Sequence, residues 1–201
     1  MATQTFQFNP DQVAHFEVES WKAYYDHAWF KLLRLVVALI QEQFHIPFPV
    51  SLLAAFYTVR ASAAWAPKEH KDENAIRADL EKFYKLALRY SGLRFDPTQV
   101  AELEFQYWVD HRRLVGKTDK TPFIQTMTAL HAAIFGLSLD QARESGERRV
   151  EANNILDTIT GRTSTNPYAD WIRCETLLRQ CYGSLYQAAR PTIQKEVAQS
   201  A

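Results

Sequence analysis

Residues 96–122, DPTQVAELEFQYWVDHRRLVGKTDKTP, contain a complete helix with its start and stop signals. Asp96-Pro97 is a helix start, because the carboxylate accepts from the first free amides and proline needs no donor at the first helical position. The apolar residues that follow recur at the spacing of one helix face: Val100, Leu103, Tyr107 and Leu114. Gly116 then ends the helix, and Thr121-Pro122 repeats the start signal. The stretch therefore predicts one whole helix and the beginning of the next.

The same signals recur along the chain and divide it into helices. Starts of the same kind stand at Asn9-Pro10 and Asn166-Pro167, and Ser138 with Gln141 forms a capping box. Stops stand at Pro47, Pro67, Gly92, Gly116, Gly136, Gly161 and Pro191. These signals predict seven helices, at about Pro10–Ile46, Pro49–Ala66, Glu73–Ser91, Pro97–Val115, Pro122–Phe135, Ser138–Thr160 and Pro167–Arg190. The first is unusually long, which leaves a bend or break near Asp26 open.

The fold class follows from these helices and from the scarcity of strand-like alternation. We expect an all-α protein, a single helical bundle of about seven helices whose neighbours are mostly antiparallel because the connections are short. At 201 residues, 47% of them hydrophobic, the chain is long enough for one core, so residues 1–201 are predicted to form one domain. Residues 1–9 and 191–201 are predicted to be frayed tails.

Charge and cysteine content exclude some partners. Lysines and arginines number 23 and so do aspartates and glutamates, so no electrostatic preference for nucleic acid or an anionic membrane is expected. The local basic clusters, residues 111–113 and 148–149, read as solvated helix faces. Cys174 and Cys181 lie seven apart on an apolar stripe and read as reduced core residues. With no signal peptide or membrane-length apolar run, we expect a cytoplasmic protein.

Polar residues on the core stripe of the fourth predicted helix are the first sign of a site. Glu104 and His111 are seven residues apart and therefore stack on one face, together with the apolar residues named above. A buried carboxylate is costly without a partner. Its predicted partner is His111 itself, Arg60 or a metal ion.

Glu42 and His45 supply a second sign, the spacing Glu-x-x-His. This spacing resembles that of the ferritin-like di-iron bundles, which carry two such pairs and two further glutamates, whereas this chain has one pair. The resemblance covers four positions. It implies iron or manganese as a cofactor and an oxidoreductase activity.

Further candidates fall on or beside core stripes. His27 and His131 are added to the predicted metal ligands, and Arg60, Asn153 and Asn154 are predicted to orient a ligand or to form a buried polar network. Gly146, inside a helix, predicts the close approach of another helix. No residue is assigned a catalytic role.

Three functions remain open on this reading. The first is a metal-dependent helical-bundle enzyme whose site combines Glu42, His45, Glu104 and His111, or those two histidines with His27 or His131. The second is a non-catalytic helical module that binds a small apolar molecule or a protein partner. The third is a structural subunit whose polar residues satisfy each other. A homo-oligomer is compatible with each, and no nucleotide cofactor is expected because the chain has no Gly-rich phosphate loop.

Overall fold

The computed structural model describes residues 7–67, 69 and 71–199, and from residue 190 onward it describes the backbone alone. Within these residues the chain is all-helical, as predicted, with eight helices and no strand. The helices are α1 Pro10–Tyr25, α2 Trp29–Phe44, α3 Val50–Trp65, α4 Glu73–Ser91, α5 Pro97–Leu114, α6 Thr121–Phe135, α7 Leu139–Thr160 and α8 Pro167–Gln199. Residues 1–6, 200 and 201, which belong to the predicted frayed tails, lie outside the described residues.

The helix count differs from the prediction because the first predicted helix is two. α1 ends at Tyr25, and His27 then adopts a left-handed conformation with φ 55°. Such a residue cannot continue a right-handed helix, so the chain reverses and α2 begins at Trp29. The predicted helix Pro10–Ile46 is therefore a pair of packed helices joined near Asp26.

Most predicted helix ends agree with the structure. Asn9 and Asp96 cap α1 and α5 by accepting from backbone amides, and Ser138 and Gln141 form the predicted capping box. Thr121 does not cap α6, because the helix begins at Thr121 and Lys120 is the cap residue. α8 does not end at Pro191 but continues to Gln199. The fixed φ of proline is that of a helix, so the backbone can pass through it with the loss of one hydrogen bond.

The eight helices form a closed ring. Each helix packs against its neighbours in sequence, and α1 also packs against α8, which closes the circle. Short connections join these neighbours, which pack extensively against each other. As a result, each helix turns one face toward the middle of the ring.

Gly146 allows a close contact between two helices of this ring, as the sequence predicts. A Cβ atom placed on it would lie 2.3 Å from the Thr128 hydroxyl oxygen and 3.0 Å from the Thr128 amide nitrogen. Both distances are too short for a side chain, and the second involves backbone. Glycine therefore brings α7 against α6 next to the turn of α7 that carries Arg149.

Both cysteines of the chain lie in its interior. Cys174 and Cys181 are free and buried, as predicted, and burial raises the pKa of both thiols to about 12. A thiol with so high a pKa is a poor nucleophile. Among the helices of the described part, none is both long and apolar enough to cross a membrane.

Candidate functional site

A cavity of about 770 Å³ occupies the middle of the ring, and all eight helices contribute to its wall. Apolar and aromatic side chains form most of this wall, among them Trp21, Phe44, Trp65, Phe83 and Trp108. Ligand-binding cavities in proteins usually measure about 300–1,000 Å³ and combine an apolar wall with a few polar groups. This cavity has that size and composition.

One side of the cavity carries a closed ionic network between α1, α7 and α8. Arg149 donates to both carboxylate oxygens of Glu17, from Nη1 at 2.6 Å and from Nη2 at 2.5 Å. The Tyr182 hydroxyl donates to the same carboxylate at 2.5 Å. Burial acts to lower the pKa of the Arg149 guanidinium, but the Glu17 charge, the Tyr107 and Tyr182 hydroxyls and the hydrogen bond to Glu17 together raise that pKa well above its usual value. The Arg149 guanidinium is therefore charged, and its Nε–H is the one part of it without a hydrogen-bond partner among the described residues.

Another part of the wall carries Glu104, which α5 presents to the same cavity. One carboxylate oxygen accepts from the Trp108 indole at 2.9 Å, and the other accepts from the Tyr84 hydroxyl at 3.3 Å. Both donors are neutral, and neither is His111 or Arg60, the two predicted partners that belong to the chain. Burial raises the pKa of the Glu104 carboxyl, and the Arg149 charge and the Trp108 hydrogen bond offset only part of the rise.

His131 is a buried, neutral histidine on the cavity wall. Its Nδ1 lies 2.8 Å from the Ser145 hydroxyl oxygen, and that hydroxyl donates to the Ala142 carbonyl at 2.7 Å. Since the serine proton is already used, the His131 Nδ1–H must be the donor, which leaves Nε2 unprotonated. Burial, together with the Arg149 charge, lowers the pKa of His131 to about 3.

His111 pairs with Asp157 nearer one end of the cavity. The His111 Nε2 lies 2.8 Å from Asp157 Oδ1, and the imidazole stacks on the Phe123 ring at a centroid distance of 5.5 Å. The other carboxylate oxygen, Oδ2, is buried and has no hydrogen-bond partner within the described residues. His111 is thus tied to α7, not to Glu104.

The predicted metal ligands do not converge. Glu42 accepts from the Asn9 backbone amide at 2.8 Å, and His45 bonds to the Gln7 carbonyl, so both hold the segment before α1. His45 is a left-handed cap after α2 and not part of the helix, so the Glu-x-x-His spacing does not put both side chains on one helix face. His27 is exposed in the turn after α1. Across the described ranges, no three His, Cys, Asp or Glu side chains are placed to hold a metal ion.

The three predicted ligand-orienting residues occupy three different places. Asn153 is in the cavity wall, where it accepts from the Tyr107 hydroxyl at 3.3 Å and donates to the Arg149 carbonyl at 3.0 Å. Asn154 faces a second, smaller pocket of about 390 Å³ between α7 and the start of α8. Arg60 is exposed on α3 and pairs with Asp79 on α4. Of the three, only Asn153 lines the central cavity.

The sequence reading missed the central ion pair. Arg149 was assigned to a solvated basic cluster, yet its side chain is 9% exposed, whereas that of its neighbour Arg148 is 41% exposed. The helical spacing indicates its burial, because Arg149 lies four residues before Asn153 and seven before Leu156 on the core face of α7. Its partner Glu17 is 132 residues away, and no local pattern connects them.

Known proteins offer no guide to this cavity. Comparison of the chain with protein-family models, with curated proteins and with solved structures found no match.

Proposed function

We propose that this protein is a helical module that binds a small, largely apolar molecule in the cavity at the centre of its ring. The observation that carries the proposal is the cavity of about 770 Å³, to which every helix contributes. Protein interiors are normally packed to the density of organic crystals, with voids rarely larger than one water molecule. A cavity of this size is a cost to stability unless something occupies it.

The wall supports an amphipathic ligand. Aromatic rings supply broad apolar surface, and a few polar groups, among them Glu104, Asn153 and His131, stand at separate points along it. That pattern binds an apolar body and fixes its orientation through one or two hydrogen bonds. Catalysis is not part of the proposal.

Tryptophan signals provide a test with an internal control. Trp21, Trp65 and Trp108 line the cavity, whereas Trp29 and Trp171 do not. In protein labelled with 5-fluorotryptophan, titration with 4-phenylbutan-1-ol should shift the fluorine resonances of the first three and leave that of Trp171 unchanged. Single Trp→Phe variants assign the signals. No shift at any cavity tryptophan at millimolar alcohol, or equal shifts at all five, would contradict the proposal.

A matched pair of variants locates the binding inside the ring. Thr58 and Thr176 each donate to a carbonyl of their own helix, but Thr58 lines the cavity and Thr176 is exposed on α8. Thr58→Phe should weaken binding of the alcohol several-fold, because the larger ring occupies ligand space. Thr176→Phe should leave the affinity unchanged. Equal affinities in both variants would place the ligand elsewhere.

A further inference from the structure

We propose that the ligand of this cavity is an organic cation, an amine carried on an apolar body, and that the Glu104 carboxylate binds its ammonium group. This inference rests on the proposed function, since it assigns the class of molecule that the cavity takes. Four features of the described residues support it: the charge partners of the carboxylates, the surface of Glu104, the rings beside it and the helix ends at the mouth.

Glu104 is the one cavity carboxylate without a basic partner in the described part of the chain. Glu17 is bonded to Arg149 and Asp157 to His111, whereas the donors to Glu104 are an indole and a phenol. These two neutral donors, with the Arg149 charge acting only through space, leave the carboxylate incompletely compensated. Because a carboxylate accepts at about four positions, it can still take an ammonium donor.

The accessible surface of Glu104 faces the cavity. Its side chain is half-buried although α5 holds it inside the ring, and it is part of the cavity wall. Its accessible surface therefore belongs to the cavity and not to the outside of the protein. An ammonium group in the cavity can therefore approach it.

The aromatic rings of the cavity already bind cations of the protein itself. The Arg149 guanidinium lies 5.0 Å from the Trp21 ring and 5.6 Å from the Tyr107 ring, and the Arg112 guanidinium lies 4.1 Å from the Trp65 ring. Ring faces carry partial negative charge and attract cations, including ammonium ligands. Trp108 and Tyr84, beside Glu104, offer the same kind of surface without a cation of their own in the described structure.

Helix C-terminal ends at the mouth of the cavity attract positive charge, and cations of the protein itself already bind two of them. Exposed wall residues stand at the C-terminal ends of four helices: Tyr25 of α1, Ala66 after α3, Val115 after α5 and Gly161 after α7. Carbonyl groups at helix C-termini carry partial negative charge. Two of these ends already accept from cations, Arg112 donating to the Trp65 carbonyl at 2.8 Å and Lys120 to the Leu114 carbonyl at 2.7 Å.

The test compares three molecules that share one body and differ in charge. Affinities of 4-phenylbutylamine, 4-phenylbutan-1-ol and 4-phenylbutyrate for the full chain are measured by calorimetry at pH 7 and low salt. We expect the amine to bind at least about tenfold more tightly than the alcohol, and the carboxylate to bind most weakly. In Glu104→Gln the amine should lose at least about tenfold while the alcohol changes less than about twofold. Glu147→Gln, an exposed glutamate on α7, is the control of equal charge change.

The outcomes separate this inference from the proposed function. If the alcohol binds in the cavity as tightly as the amine, or the carboxylate binds best, the cation inference is wrong and the proposed function stands. If the amine is preferred but Glu104→Gln keeps the preference, the assignment of Glu104 is wrong. If none of the three binds in the cavity, both proposals fail. The Trp108 resonance, whose indole bonds to Glu104, reports amine binding independently.

Discussion

Glu17 and Glu104 lie in the same cavity and differ in what meets their charge. Glu17 accepts two hydrogen bonds from a guanidinium and one from Tyr182, so its charge is compensated within the protein. Glu104 accepts from Trp108 and Tyr84, which compensate it only in part. The closed side of the cavity, at Glu17, thus joins α1, α7 and α8. The open side, at Glu104, has a charge available for a ligand. Stability and binding are expected to depend on different carboxylates.

The largest expected effect is that of Glu17→Gln. The substitution leaves the Arg149 guanidinium buried without its counter-ion, and loss of one partner of a buried pair typically costs about 3 to 5 kcal/mol. We expect a loss of this size in the free energy of unfolding, measured by urea denaturation at pH 7. In the double variant Glu17→Leu with Arg149→Met, which removes both charges, much of the loss should be recovered. A cost below about 1 kcal/mol for the single variant would show that the pair is not the closed network described.

A smaller effect is expected from the cap of the helix that carries the open side. Asp96 accepts from the amides of Thr98 and Gln99, and Asp96→Ala should lower the free energy of unfolding by about 0.5 to 2 kcal/mol. Ser138→Ala, which removes the cap of the helix that carries Arg149, is the matched variant and should cost a similar amount. If one of these substitutions lowers the free energy of unfolding several times more than the other, local helix stability and not charge pairing distinguishes the two sides of the cavity.

The smallest effect on stability is expected from Glu104→Gln. Glutamine can still accept a hydrogen bond from Trp108, so at pH 4.5 the free energy of unfolding should change by less than about 1 kcal/mol. Because burial raises the folded-state pKa of Glu104, the wild type binds this proton more tightly when folded and loses that stability as the pH rises above the ordinary value of 4.5. The variant should therefore be more stable than the wild type at pH 8. Urea denaturation at pH 4.5 and at pH 8 measures the two differences. A pH-independent difference, or a variant destabilised at pH 8, would contradict the comparison.

The helices themselves could be predicted from sequence because their signals are local. Asp96 caps amides two and three residues away, and the boundaries Glu73–Ser91 were predicted as they occur. The break after Tyr25 was harder, since no glycine or proline marks it and His27 takes the left-handed conformation instead. Residues on the core face of a helix were also recognisable, and Glu104, His131 and Asn153 were picked out for that reason.

What surrounds each of those residues was decided by tertiary structure alone. Periodicity places Glu104 on the inner face of α5. Which side chains donate to it depends on α4, which lies beside α5 and supplies Tyr84, and on the orientation of the Trp108 indole. The Arg149–Glu17 pair joins α7 to α1, and it exists because the ring brings distant helices to one interior. The cavity likewise belongs to no segment, since every helix supplies part of its wall. Local hydrogen bonds and helical periodicity thus determine the helices from the sequence itself, whereas charge compensation and empty volume arise only once the ring closes.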